Sequence, residues 1–113
     1  MPDTITTRQA QGTWVVRAGG AILGETKAAV ELLEPGRDPV IYFPRGDVAM
    51  AFLDKAGPAP GNPGIGAATH YAIVTKSRTI ANAGWSYEAP KAGFGQIAGH
   101  IAFDPAKATV EAL

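Results

Sequence analysis

The side chains best suited to recognition or chemistry are Trp85, Tyr87, Arg45, His70, Asn82, Tyr42 and Glu34. Trp85 and Tyr87 lie in the run Asn82-Ala83-Gly84-Trp85-Ser86-Tyr87-Glu88-Ala89-Pro90, which holds one of the two tryptophans and one of the three tyrosines. Each ring joins a large apolar body to a polar tip. Two positions apart, they share a face if the backbone is extended. With Asn82 nearby they would make an aromatic shelf with a polar neighbour, which suits a small planar or sugar-like ligand. The same run also reads as a rigid corner whose rings cap a sheet, Gly84 only permitting the backbone path. Arg45 follows an expected strand and Pro44. A guanidinium there could clamp a carboxylate or phosphate through two parallel hydrogen bonds; a surface ion pair with Asp47 or Glu34 is the plainer reading. His70 could titrate near neutral pH, or be a hydrogen-bonded structural histidine on its strand. Tyr42, opposite Ile41 and Phe43, reads as core more readily than as ligand wall. An enzyme assembled from this set would use His70 or Glu34 as general base and Arg45 to stabilise an anion on a small anionic substrate.

Other chemistries lack their residues. With no cysteine, disulfides, thiol nucleophiles and thiolate metal sites are excluded together. His70 and His100 are the only histidines and have no carboxylate at a local ligand spacing, so no metal site and no cofactor are expected. Ser77 and Ser86 are the only serines, and neither sits in a glycine-rich elbow. Gly61–Gly66 is glycine-rich, but no Lys-Ser/Thr pair follows as a phosphate loop requires. The carboxylates Glu25, Glu31, Glu34, Asp38, Asp47, Asp54 and Glu88 are dispersed, and only folding could pair them.

The elements that must position these groups are short. The chain has 113 residues, enough for one domain. Hydrophobic residues make up 46% and charged residues 18%, a globular composition. Fourteen glycines and nine prolines imply many turns between short elements, which fits β structure. Formal charge is zero with the basic residues spread evenly, so no nucleic-acid partner is expected. Low charge gives little repulsion against self-association, and a homo-oligomer is a third functional expectation, using the Ile97–Phe103 strand or the Trp14 strand as interface. Met1–Gln11 is polar without an apolar centre, which argues against a signal peptide, and no run has the length of a membrane span. A cytoplasmic protein without a membrane partner is expected.

Along the chain, residues 1–12 read as a frayed end. Thr13–Arg17 is a strand, Gly19-Gly20 a hairpin turn, and Ala21-Ile22-Leu23 starts the return strand. Ala28–Leu33 is ambiguous, with the following Glu34-Pro35 favouring an extended backbone. Val40–Phe43 is apolar on both faces and implies a central strand. Asp47–Leu53 reads as a short helix with Asp47 at its start. Lys55–Gly66 reads as a loop. His70–Val74 and Arg78–Ala81 are strands around a Lys76-Ser77 turn. Ile97–Phe103 is the last clear strand, and the tail from Asp104 reads as a short helix behind Asp104-Pro105.

Four segments together resemble the DUF427 family of small proteins. They are Leu33-Glu34-Pro35-Gly36, Tyr42-Phe43-Pro44-Arg45-Gly46-Asp47-Val48, the Asn82–Pro90 run, and Ile97-Ala98-Gly99-His100-Ile101-Ala102-Phe103. They run in order from Leu33 to Phe103, and the resemblance is taken to cover about residues 13–105. The resemblance implies a compact β fold of two packed sheets and no established activity. The family has also carried a nucleotidyltransferase-type label, yet this chain has no Gly-Ser dipeptide and no Asp-x-Asp pair for the metals of such a transfer. Many members carry Cys-Pro-x-Lys-Gly where this chain reads Asn62-Pro63-Gly64-Ile65-Gly66. The expectation is therefore a single mainly β domain over 13–105 with a tail at 106–113, built as two packed antiparallel sheets or a squashed barrel with one or two short helices. Its expected function is to bind a small molecule in an aromatic-walled pocket, with Trp85 and Tyr87 as walls, Arg45 as anchor, and His70, Asn82, Tyr42 and Glu34 adding contacts.

Overall fold

A computed structural model describes residues 5–59 and 61–113. Short runs, several of them alternating apolar and polar residues, separated by glycine and proline turns, give ten strands. These are β1 (Thr6–Gln9), β2 (Trp14–Ala18), β3 (Ala21–Thr26), β4 (Val30–Leu33), β5 (Val40–Phe43), β6 (Leu53–Ala59), β7 (Ala68–Val74), β8 (Thr79–Ser86), β9 (Ile101–Phe103) and β10 (Thr109–Ala112). Seven form one antiparallel sheet in the order β1-β4-β5-β9-β8-β7-β6, and three form a second in the order β10-β2-β3. Both sheets are open at their edges, so the two-sheet expectation holds and the barrel alternative does not.

The main core lies between the sheets. Val16 and Leu23 of the small sheet pack with Ile41, Phe43, Ile73, Ile101 and Phe103 of the large one. Phe43 and Phe103 meet edge to face with ring centroids 5.9 Å apart. The other face of the large sheet carries a smaller cluster containing Leu32, Tyr42, Ala102 and Tyr87, onto which Ile65 and Ile97 fold from the loops. The sheet is therefore apolar on both faces, as the unbroken run Val40–Phe43 implied.

Several expectations are corrected. Thr6–Gln9, within the segment read as frayed, pairs with β4 as an edge strand. The helix expected over Asp47–Leu53 is replaced by two single 3-10 turns, Arg45–Asp47 and Met50–Phe52. Asp47 accepts a hydrogen bond from the Thr26 hydroxyl at 2.7 Å, and Val48 bridges Gly24 of β3. That pairing needs extended backbone and interrupts any helix. The loop expected from Lys55 is strand as far as Ala59. Pro58 is tolerated because β6 is an edge strand, where a missing N–H need cost no ladder bond. The C-terminal helix is strand β10: Lys107 and Ala108 N–H both return to the Asp104 carbonyl, which closes one turn only, and Thr109–Ala112 then pairs with β2. In the last segment only Ile101–Phe103 is strand; Gly95–Ile97 is a 3-10 turn. Strand β9 lies between β5 and β8 with all three residues buried, so it offers no edge to a second copy. No helix among the described residues is long and apolar enough to cross a membrane.

Candidate functional site

The strand registers build the site. His70 pairs with Trp85, Trp85 with Ala102, Ala102 with Tyr42, and Tyr42 with Val30. Cross-strand partners share a face, so these five side chains form a row on the face turned away from the small sheet. Ala102 is small and leaves a trough between Tyr42 and Trp85. The Trp85 indole N–H spans it, donating to the Tyr42 hydroxyl at 2.9 Å. Tyr87, two residues beyond Trp85, adds its ring to the same face.

The loop at 61–66 supplies the opposite wall. The Asn62 N–H donates to the Tyr87 hydroxyl at 3.0 Å, and the Asn62 carboxamide accepts from the Gly64 N–H at 2.8 Å. The Asn62 amide nitrogen lies 3.5 Å from a Glu34 carboxylate oxygen. Ile65, 1% exposed, plugs the loop onto the sheet. Lys91 fastens it from outside, its ammonium on the Pro63 carbonyl at 2.6 Å and its N–H on the Ile65 carbonyl at 2.7 Å. Between loop and sheet lies a cleft of about 880 Å³.

Of the seven side chains expected at the site, Glu34, Tyr42, His70, Asn82, Trp85 and Tyr87 line this cleft. Arg45 does not. Its guanidinium donates to the Gly99 carbonyl at 3.0 Å and to the Glu88 carboxylate. Strand β5 ends at Phe43, and Arg45 opens the 3-10 turn beyond it, where its guanidinium reaches Gly99 and Glu88 rather than the cleft. An acid–base site with Arg45 as its anion stabiliser is therefore not assembled, and the ion pair uses Glu88 rather than Asp47 or Glu34. Tyr42, expected as core, is both: 2% exposed, yet part of the cleft lining. Burial raises its phenol well above the ordinary tyrosine value. The ring therefore keeps its proton at neutral pH, and that proton has no acceptor among the described residues. His70 is half-buried, and its ring makes no hydrogen bond among the described residues, contrary to the structural reading. Asn82 takes a left-handed backbone, φ 53°, at the irregularity where β8 slips against β7; asparagine is among the residues that tolerate it.

Asn62, Asp38 and Asp104 also line the cleft and were not read as site residues. Asp38 belongs to the turn after β4 and Asp104 follows β9. Turn chemistry explained both locally, and only the sheet order reveals that these two ends meet. Among the described residues no group of three His, Asp or Glu side chains converges as a metal site.

The Arg45–Glu88 pair anchors the aromatic run from behind. Glu88 also accepts from the fully buried Ser86 hydroxyl. Its carboxyl is held below the ordinary glutamate value of about 4.5, chiefly by the Ser86 hydrogen bond and further by Arg45. A lowered folded-state value stabilises the fold above the unfolded value and loses that contribution as pH falls through the folded one. The stability difference between wild type and Glu88→Gln should therefore be constant near neutrality and shrink below about pH 4.5. Denaturant midpoints of both proteins at several pH values check this; a difference that grows on acidification contradicts it.

No curated protein matches the chain. The family model described as a domain of unknown function, DUF427, matches residues 6–112. That match covers nearly the whole fold, from β1 to β10, and takes in the loop, the aromatic run and both sheets. The chain belongs to the DUF427 family.

Proposed function

We propose that this protein is a binding module for a small molecule, held in the cleft between the 61–66 loop and the outer face of the large sheet. One observation carries the reading: six side chains singled out for chemistry, from four separate parts of the sequence, line one cleft of about 880 Å³. That volume lies within the range of small-molecule sites, which are concave, mostly apolar and provided with a few placed polar groups. The lining has this character. Trp85, Tyr87, Leu32 and Ile65 supply apolar surface, and Tyr42, Asn62 and Glu34 supply polar groups.

The support is also energetic. The Trp85 ring is half-buried rather than sealed into the core. Its N–H is already satisfied by Tyr42, so the ring offers its face at no cost in polar pairing. The site needs little rearrangement, because the aromatic run is anchored by Glu88 and the loop by Lys91.

A thermal-shift screen over sugars, amino compounds, organic acids and nucleotides tests the reading. A ligand at a hundred times its Kd should stabilise the fold by about 2.7 kcal/mol. The shift should disappear in Trp85→Ala, which removes the main wall while leaving the inter-sheet core intact. A shift of equal size in wild type and Trp85→Ala would place the ligand elsewhere and refute the proposal.

A further inference from the structure

The charges around the cleft are the reverse of those in an anion site. Glu34, Asp38 and Asp104 line it. They gather at one end of the sheet, because β4 ends, β5 begins and β9 ends there, as the pairs Leu32↔Val40 and Tyr42↔Ala102 require. The neighbouring cations are held by other partners. Arg45 is held by Glu88 and the Gly99 carbonyl, Lys91 by the Pro63 carbonyl, and Lys107 by the carbonyls of Ala81 and Asn82. Arg37 is the guanidinium on the lining; its Nε is 3.8 Å from Glu34 and its side chain is 76% exposed. Hydrogen bonds to neutral carbonyls leave the charge of Lys107 in place beside Asn82, so three carboxylates stand against Arg37 and Lys107, and that end of the cleft keeps a net negative charge.

The negative end adjoins the aromatic wall. Ring faces attract cations, more strongly when the pair is partly removed from water. Carboxylates beside the rings add coulombic attraction and raise the local concentration of positive ligands. A separate observation specifies a second group. The Tyr42 hydroxyl is buried on the cleft lining and accepts from Trp85, and its own hydrogen has no acceptor among the described residues. A hydroxyl offers one donor as well as acceptor capacity, so Tyr42 can still donate into the cleft. A ligand oxygen would satisfy it.

We infer, resting on the binding reading above, that the ligand is a small organic cation: an amine or quaternary ammonium seated between the Trp85–Tyr87 wall and the Glu34–Asp38–Asp104 end, with a hydroxyl or carbonyl oxygen that accepts from Tyr42. The same charges disfavour phosphate esters and carboxylates. They also oppose a nucleotide in this cleft.

Titration calorimetry of the full chain tests this with matched pairs: choline against its uncharged isostere 3,3-dimethylbutan-1-ol, and glucosamine against glucose. In at least one pair the cation should bind roughly tenfold more tightly than its neutral partner. Glu34→Gln, at a position 28% exposed, should weaken that cation roughly fivefold and leave the neutral compound unchanged. Added salt should weaken the cation alone. The melting temperature of Glu34→Gln confirms that the fold is intact. Neutral partners that bind as tightly as the cations, or inorganic phosphate that binds more tightly than either, would overturn the inference while leaving a small-molecule site in place. Silence from both cations overturns it as well. Silence across the wider screen too would remove the binding reading itself.

Discussion

Phe43→Ala should lower stability by about 3–5 kcal/mol, the usual cost of truncating a fully buried aromatic ring. Phe43 has no exposed surface, and its ring meets Phe103 edge to face at the centre of the inter-sheet core. Truncation removes the burial of the ring and the aromatic pair, and leaves a void between two sheets whose strands cannot easily close on it. For a domain of this size the melting temperature should fall by roughly 15 °C. The adjacent residue provides the contrast. Tyr42 points to the cleft face, and Tyr42→Phe removes one hydroxyl, leaving the Trp85 indole N–H without its acceptor. That should cost only about 1–2 kcal/mol while changing the cleft directly. Urea unfolding of the two variants measures both. Equal losses would mean that the two faces of β5 are not divided between core and site as described.

Gly61→Ala should cost about 2–3 kcal/mol and distort the cleft with it. A methyl group at this position would lie 2.4 Å from the Gly66 carbonyl oxygen, 2.8 Å from Cε1 of Tyr87 and 3.0 Å from the Ala68 nitrogen. Two of these are backbone atoms, so the strain cannot be relieved by a side-chain rotation. Either the 61–66 loop lifts, breaking the Asn62–Tyr87 hydrogen bond, or the Tyr87 ring is displaced. Both outcomes disturb the wall opposite Trp85, so ligand response should fall together with stability. Gly46→Ala is the control, since nothing lies within 4 Å of a methyl group there and its backbone is not left-handed. It should change stability by less than about 0.5 kcal/mol. A Gly61→Ala protein as stable as wild type would mean that the loop is not packed on Tyr87 as the geometry indicates.

The parts of the fold legible in the sequence are those set by local rules. Alternation located β2, β7 and β9, the Gly19-Gly20 pair located the first hairpin, and Val40–Phe43, apolar throughout, revealed β5 as a strand with two buried faces. Residues whose conformation depends on distant partners were misread. Asp47 looks like a helix start until Thr26 and the Gly24–Val48 bridge claim that segment for β3. The tail looks helical until β2 offers it an edge. Lys55–Ala59 looks like a loop because Gly57 and Pro58 are turn residues, and only its place at the sheet edge makes it a strand.

The site follows the same division. Trp85, Tyr87, Tyr42 and His70 were legible because aromatic and titratable side chains are conspicuous by type. Arg45 looks like a site anchor by type, but the 3-10 turn after Pro44 directs it to Glu88 and Gly99 instead. Asp38, Asp104 and Asn62 could not be found, because they meet only through the strand order β4-β5-β9-β8 and the closing of the 61–66 loop. Asn62 and Ile65 serve structure, Asn62 by turning the loop onto Tyr87 and Ile65 by plugging it onto the sheet.

The central claim, that the cleft over Trp85 binds a small molecule, is tested most directly by following the two tryptophan indole N–H resonances in a ligand titration. Trp85 lines the cleft, whereas Trp14 belongs to the small sheet and donates to the Gln11 carbonyl, so it serves as an internal control. A ligand found in the screen should move the Trp85 resonance along a saturable curve and leave Trp14 in place. A Trp85 resonance that stays fixed at saturating ligand, or one that moves only together with Trp14, would contradict it.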